Sequence, residues 1–461
     1  MIRRLVRTVE GRAALRGGVT QGAAFVLLRV ARFAVLPFVF RALSESELGL
    51  YGLLQTGYVV AFTLFGAGTG SSVVRAAADQ RTGAVASHVV GRSVAAVLAT
   101  LCLAPTLLFV APSLAPAAAS AVLAVALGLV MEGTYHAARS AGRHRLCALL
   151  LTVNSLAWAA LVVALVLVEG WGVTGLMLAL AGSHLAGWCV GLLALGPSAW
   201  SGATRPEMVR QLRFGAPIAL TDILHVAAGL DRLVVQQLLG LARAGVYHFA
   251  TVFMDPLLLL DRAAVVSSEP WLYAASPEQL RERVAHLMRT QSALHLAAAV
   301  CLAALATEIA WVLGPASYAD ALWAAPVLLL VPVLGTQTRL VGFGAAHRSR
   351  TGVLAMAAAT DLALALGLAW LLAPAFDLLG VGVARAIGAL AGLAVAAWST
   401  QRLIGKLPVL PVALAGAFTA LLCVALASPL LSLPIWVRLP LGALAAVALA
   451  AGLWPRDTAQ D

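Results

Sequence analysis

The chain has 461 residues, of which 61% are hydrophobic and only 11% charged, with a mean hydropathy of +0.94 and a net charge of +11. A soluble domain carries roughly twice that charged fraction, so lipid must solvate most of these side chains, which excludes a water-soluble enzyme built on one large core. The basic residues lie in small groups between apolar runs and do not cluster on one soluble face, which excludes nucleic acid as a partner.

In chain order, MIRRLVRTVEGRAALRGG is a basic tail. It leads into an apolar segment that is too long, and too interrupted by Arg29 and Arg32, for a cleaved leader. A bilayer core takes about 20 apolar residues per helix. Cutting at polar or Gly/Pro punctuation predicts fourteen spans: 19–41, 48–72, 88–111, 115–138, 146–168, 172–196, 215–239, 245–267, 290–313, 319–343, 352–374, 378–399, 408–430 and 434–454. Pro429 and Pro434 crowd the turn between the last two. With the N-terminus inside, the inner segments hold 23 of the 31 Lys and Arg residues, among them RAAADQRTGAVASHVVGR. The outer segments hold three, Arg41, Arg243 and Arg438. That is the positive-inside pattern, and it predicts a multi-pass inner-membrane protein with both termini cytoplasmic. Ser276-Pro277-Glu278 predicts a helix start, with Ser as N-cap and Pro at the first helical position. Leu280, Val284, Leu287 and Met288 then fall on one stripe, as in a helix lying along the inner surface.

The sequence also repeats itself. Gly49-Leu50-Tyr51 aligns on Gly245-Val246-Tyr247, each after a short outer turn, while Gly172-Val173-Thr174-Gly175 and Gly380-Val381-Gly382 open spans 6 and 12. The expected fold is therefore all-α: two six-helix lobes in the same orientation, related by a pseudo-two-fold along the membrane normal, plus a C-terminal helix pair. The lobes are 1–200 and 201–405, with 406–461 carrying the extra pair and tail. Parallel repeats of this kind put a transport site at the interface between lobes.

A charge at mid-bilayer costs about 2.5–3.5 kcal/mol on insertion scales, so each needs a reason. Arg29 and Arg32 share one face of span 1, with Pro37 just beyond; they either line a cavity or, for Arg29, pair with an acid such as Glu132. Asp222, His225, Gly229 and Arg232 follow one another at helical spacing along span 7. Asp255 and Arg262, one heptad apart with Asp261 beside them, lie in span 8. Asp361 in span 11 and Arg385 in span 12 complete the set. These groups either pair laterally, as Asp222 could with Arg262, or leave an acid to bind H⁺ or Na⁺; Asp222, Asp255, Asp361 and His225 are the ion-coupling candidates. His184 and His225 lie inside spans and could relay protons, whereas His136, His144, His286 and His347 sit at cytoplasmic ends where water reaches them. Glu308 is read as interfacial. Gly187-x-x-x-Gly191 and Gly388-x-x-x-Gly392 occupy corresponding places in the two halves and predict close helix packing.

No nucleotide-binding loop, HExxH or GxSxG occurs, and Gly66-Ala67-Gly68-Thr69-Gly70 ends a span without following a strand. The five cysteines form no metal or disulfide pattern. Neither catalysis nor a cofactor is expected.

Several segments together resemble a known family. They are Arg41-Ala42-Leu43-Ser44 through Gly49-Leu50-Tyr51, Phe65-Gly66-Ala67-Gly68 before Arg75, and Leu212-Arg213-Phe214-Gly215-Ala216-Pro217. Asp231-Arg232 before Leu239-Gly240, and Gly314-Pro315 followed by Tyr318, complete the series. In this order and spacing, over roughly residues 20–400, the chain resembles the polysaccharide flippases of the multidrug/oligosaccharidyl-lipid/polysaccharide exporter superfamily. The resemblance implies alternating-access transfer of an undecaprenyl-diphosphate-linked oligosaccharide to the outer leaflet for surface polysaccharide synthesis. Arg29 and Arg32 would meet the diphosphate, assisted by Arg232, Arg262 or Arg385, since guanidinium binds phosphate oxygens bidentately and stays charged. Membrane lipids, a polysaccharide polymerase and glycosyltransferases would be its partners. The rivals are the lipid II flippase of peptidoglycan synthesis, which the fourteen spans favour, and a cation-coupled multidrug exporter, which the two arginines of span 1 disfavour.

Overall fold

The computed structural model of the chain describes residues 33–78, 81, 83–261, 272, 276–347, 352–427 and 434–453, and every regular element among them is helical. The first half contains α1 (Phe33–Ala42), α2 (Glu45–Gly66), α3 (Thr69–Ala78), α4 (Ala84–Leu103), α5 (Ala115–Ser140), α6 (His144–Val162), α7 (Gly172–Leu195) and α8 (Arg205–Ala227). The second contains α9 (Asp231–Leu239), α10 (Leu241–Val252), α11 (Pro277–Ala304), α12 (Ala306–Leu313), α13 (Ala321–Leu328), α14 (Leu330–His347), α15 (Gly352–Ile404), α16 (Val409–Ala427) and α17 (Ile435–Leu453). Ten helical runs are long and apolar enough to cross a membrane, and the chain is an all-α, multi-pass membrane protein. One of the ten is double: α15 breaks at Asp377 (φ 52, ψ −138) and folds back as two spans. These account for all predicted spans except 1, 7 and 8.

Of span 1, the described part is α1. Spans 7 and 8 are broken where unbroken helices were expected. α8 starts ten residues before the predicted span, carries Pro217 inside it, and gives way to a 3₁₀ turn at Ala228–Leu230. Gly240, with φ 92, separates α9 from α10 in the turn expected between the two spans, and span 8 is interrupted after Val252, where the chain turns at Phe253 and Met254. The predicted polar stripe from Asp222 to Arg232 crosses the 3₁₀ turn, so it is not one face of one helix. The start at Ser276 is as expected, closed by a capping box with Gln279. The separate surface helix is not: Leu280, Val284 and Met288 are buried in the first turns of α11, which runs on unbroken as a span.

The chain divides into two compact units, residues 1–43 with 53–226 and residues 44–52 with 227–461. In the first, α5 packs against α3, α4 and α7, and α6 packs against α7. Val125, Leu129 and Leu150 are the buried anchors. In the second, the span at Ala321–Ala345 has 83% of its apolar window buried, so protein and not lipid surrounds it. Gly388 and Gly392 set the second half of α15 against Ala357 and Asp361 of the first, the packing role expected of small residues. Leu108, Phe109, Leu193 and Trp311 are by contrast largely exposed, as suits a surface solvated by lipid.

The C-terminal pair docks on α11. Arg438 of α17 donates to the Ala304 carbonyl (3.1 Å), Thr307 Oγ1 (3.2 Å) and Glu308 (2.5 Å), so Glu308 is an ion-pair partner and not merely interfacial. The other two arginines of the outer segments are also engaged. Arg41 donates to Pro37 O (3.0 Å), and Arg243 bridges Asp320 (2.5 Å) and Asp377.

Within the second unit, the repeat becomes a contact. The start of α2 crosses the start of α10 at Gly49 and Gly245. A Cβ on Gly49 would run into Leu241 O and come 3.0 Å from Gly245 N; one on Gly245 would run into Glu45 O and come 3.0 Å from Gly49 N. Each residue meets the repeat-equivalent of what the other meets, the reciprocity of a local two-fold. Only glycine lets two helix backbones come this close.

Candidate functional site

Two clusters of charged side chains are buried in the helices, one in each unit.

In the first unit, α4 contributes His88 and Arg92 and α5 contributes Glu132 and His136. Each pair is spaced i,i+4, so both members project from one helix face. Arg92 Nη2 lies 2.8 Å from Glu132 Oε2, and His136 Nε2 lies 3.4 Å from Oε1. The His88 and His136 rings meet edge to face at 5.8 Å. Arg92 and His88 are almost completely buried. Beyond these contacts, Arg92 Nε and Nη1, both nitrogens of His88 and Nδ1 of His136 are buried with no hydrogen-bond partner among the described residues. Two glycines make room: a Cβ on Gly66 would stand 2.6 Å from Arg92 Nη1, and one on Gly70 would strike His136 Nε2. The glycine run that ends span 2 therefore accommodates this cluster.

Three sequence-based expectations change here. Arg92 is not a cytoplasmic-loop cation but sits in the third turn of a span. His136 is mostly enclosed, its side chain 14% exposed. Glu132, the acid suggested for Arg29, has Arg92 as its partner among the described residues; Arg29 and Arg32 themselves lie outside them. Deeper in the same unit, His184 stands between Tyr58 and Asn154. Asn154 Nδ2 donates to His184 Nδ1 (3.1 Å), which places the ring proton on Nε2, 2.9 Å from the Tyr58 hydroxyl. Asp222 is exposed and His225 half-buried, both on α8.

In the second unit, Asp231 opens α9 and is buried. It accepts a hydrogen bond from Tyr247 (2.7 Å) and faces Arg385 Nε (3.3 Å). Arg385 Nη1 reaches Asp361 Oδ1 at 3.9 Å, across the two halves of α15. Arg232 points to Thr251 Oγ1 (2.9 Å), beside buried His248. Of the predicted site residues, Arg385 and Asp361 are thus brought together, and Asp231, noted in the sequence only as part of a turn motif, joins them. Asp255 is half-buried, and Arg262 lies outside the described residues. A further pair, Arg339 and Asp261 (2.9 Å), is buttressed by Thr336 donating to Asp261 (2.8 Å). No group of His, Cys, Asp and Glu suited to a metal occurs among the described residues.

The fold matches that of solved membrane transporters. A multidrug resistance MATE family transporter of the MOP superfamily in its outward-facing conformation superposes with TM-score 0.67 at 16% identity, covering 90% of this chain and 98% of that one. A MOP superfamily transporter from Pyrococcus furiosus gives 0.66 at 16%, covering 87% and 97%. An inward-facing MATE transporter gives 0.63 at 16%, covering 84% and 98%. No protein-family model matches the sequence, nor does any curated protein. The chain has the MATE fold.

Proposed function

We propose that the chain is a non-enzymatic transporter that works by alternating access and carries an anionic, polyprenyl-diphosphate-linked oligosaccharide across the cytoplasmic membrane, with both termini inside. One observation carries the choice of substrate. The first span holds Arg29 and Arg32 one turn apart, and no Asp or Glu occurs between residues 11 and 44. Two cations without a local acid, in a protein of this fold, ask for an anion. The P. furiosus transporter of the same fold is described as having a binding pocket of reverse polarity that suggests a different function; a cationic first span is consistent with such a reversal here. Arg232, Arg262 and Arg385 would assist, and a surface-polysaccharide polymerase and glycosyltransferases would be the partners. No cofactor is required, and H⁺ or Na⁺ would drive the cycle.

A second reading, a multidrug exporter, is favoured by the descriptions of similar structures. Complementation separates the two. In a bacterium lacking its own polysaccharide flippase, the chain should restore surface polysaccharide, and Arg29→Ala and Arg32→Ala, expressed to equal levels, should each abolish it. Restoration untouched by either substitution removes the two arginines from the mechanism. Drug resistance conferred without polysaccharide would favour the exporter.

A further inference from the structure

We propose that His136, with Glu132 as its counter-charge and Arg92 and His88 as neighbours, is a proton-binding site of the first unit. It rests on the transporter reading, which needs a driving ion, and it assigns that ion to residues other than the acids of spans 7, 8 and 11.

Space decides the ligand. The Arg92 head group lies against the Cα of Gly66, and the His136 ring against that of Gly70. A third glycine, Gly133, lies beside the Arg92 stem, where a Cβ would come 3.0 Å from Arg92 Cβ. Side chains pressed onto glycine backbone on three sides leave little room beside the ring and the head group. A proton needs none.

The hydrogen-bond geometry decides where it goes. His136 Nε2 faces Glu132 Oε1, so the neutral ring carries its hydrogen there and its lone pair on Nδ1, which is buried and has no hydrogen-bond partner among the described residues. An incoming proton binds Nδ1 and charges the ring while Nε2–H stays on the carboxylate. Unloaded, the cluster is one Arg⁺ and one Glu⁻, each oxygen of the carboxylate serving one neighbour. Loaded, two cations share a single carboxylate.

Among the described residues, the groups facing His136 are few. α4 presents Arg92 and His88. α5 presents Glu132 and Tyr135, whose ring meets that of His136 at 5.4 Å, with Arg139 one turn on. α2 and α3 present Gly66 and Gly70, and α6 reaches only Tyr135, through Cys147. A charge gained here is felt beside a joint. Between α2 and α3 the chain turns through Ala67 (φ 47) and Gly68 (φ 62), positions flanked by the two glycines that touch the cluster. The proton load thus acts on the connection between these two helices.

The test uses the full chain in liposomes, labelled with ¹⁵N-histidine and followed by solid-state NMR from about pH 5 to 8. One imidazole with through-space contact to a glutamate side chain should titrate in this window. That signal should be lost in His136→Gln and displaced in Glu132→Gln, while His225→Gln leaves it unchanged. If no glutamate-contacting histidine of the wild type titrates, or if the same set titrates in both cluster variants, the proposal is overturned. The wild-type spectrum decides even where a variant fails to fold. Because no transport is assayed, failure of the complementation experiment would not be mistaken for failure of this site.

Discussion

The two buried clusters solve the same problem with opposite stoichiometry. In the first unit one carboxylate, Glu132, serves an arginine and a histidine. In the second one arginine, Arg385, serves two carboxylates, while Tyr247 gives one of them a neutral donor. Surplus acid in the second cluster is held by a hydroxyl and by distance. The first cluster has surplus base, in the form of two imidazoles with unfilled nitrogens. A buried site short of acid can take up a proton only by gaining charge, which is how a switch is built; a site with a second acid can absorb a charge defect quietly. Pairing alone therefore does not distinguish glue from mechanism, but the ratio of partners does.

That contrast can be broken by substitution. The largest effect is expected from Arg92→Leu, which leaves Glu132 partly buried with only an imidazole for company; removing one partner of such a pair costs about 3–5 kcal/mol. The matched change in the other unit, Asp361→Asn, should cost less than ~1 kcal/mol, because Arg385 keeps Asp231 and loses only a 3.9 Å contact. A mixed-micelle unfolding titration of both variants checks the difference, and equal losses would erase the distinction. Next in size is the crossing at Gly49 and Gly245. Alanine at either should cost about 1–3 kcal/mol, through overlap with a carbonyl that belongs to the backbone and cannot rotate away. The two losses should be alike, and unequal ones would deny the two-fold relation.

A further effect, comparable to the least of these, is a pH dependence. Tyr318 lies outside the membrane-spanning segments, stacked on Phe249 at 4.8 Å, and burial, followed by the nearby Glu45 and Glu47, pushes its hydroxyl up to about 12. A raised value means the folded state holds the proton more tightly. The associated stability is complete below about pH 10, where the unfolded tyrosine begins to ionise, and falls as pH rises towards 12. The loss should reach about 1 kcal/mol at pH 11 and be absent in Tyr318→Phe, as read from unfolding midpoints of the two proteins against pH.

Much of the architecture was legible because the bilayer fixes one length. Twenty apolar residues mark a span whatever packs around it, so the helices from α2 to α7 and from α13 to α17 fall close to where punctuation cuts the sequence. Spans 7 and 8 were misread for a local reason. Apolar character continues through Ala228–Leu230 and through Phe253 and Met254, while the backbone does not continue as helix. The clusters were half legible. Arg385 and Asp361 stood out as charges in apolar surroundings, but a helical wheel gives a face and not a neighbour, and Asp231 lies 154 residues from Arg385. His88 and Arg92 escaped notice because they follow a basic loop closely enough to look like part of it. The signal was present in the i,i+4 spacing of His88 with Arg92 and of Glu132 with His136, two polar faces on helices otherwise made of alanine, valine and leucine.

The crossing of α2 on α10 bears on how such a chain could have arisen. When a half-length ancestor pairs with its own copy, a contact on the two-fold axis is written once in the gene and used twice in the molecule. Fusion doubles the text without relaxing the demand: Gly49 must still suit the backbone that Gly245 presents, and the reverse. Neither half can change at this point without the other.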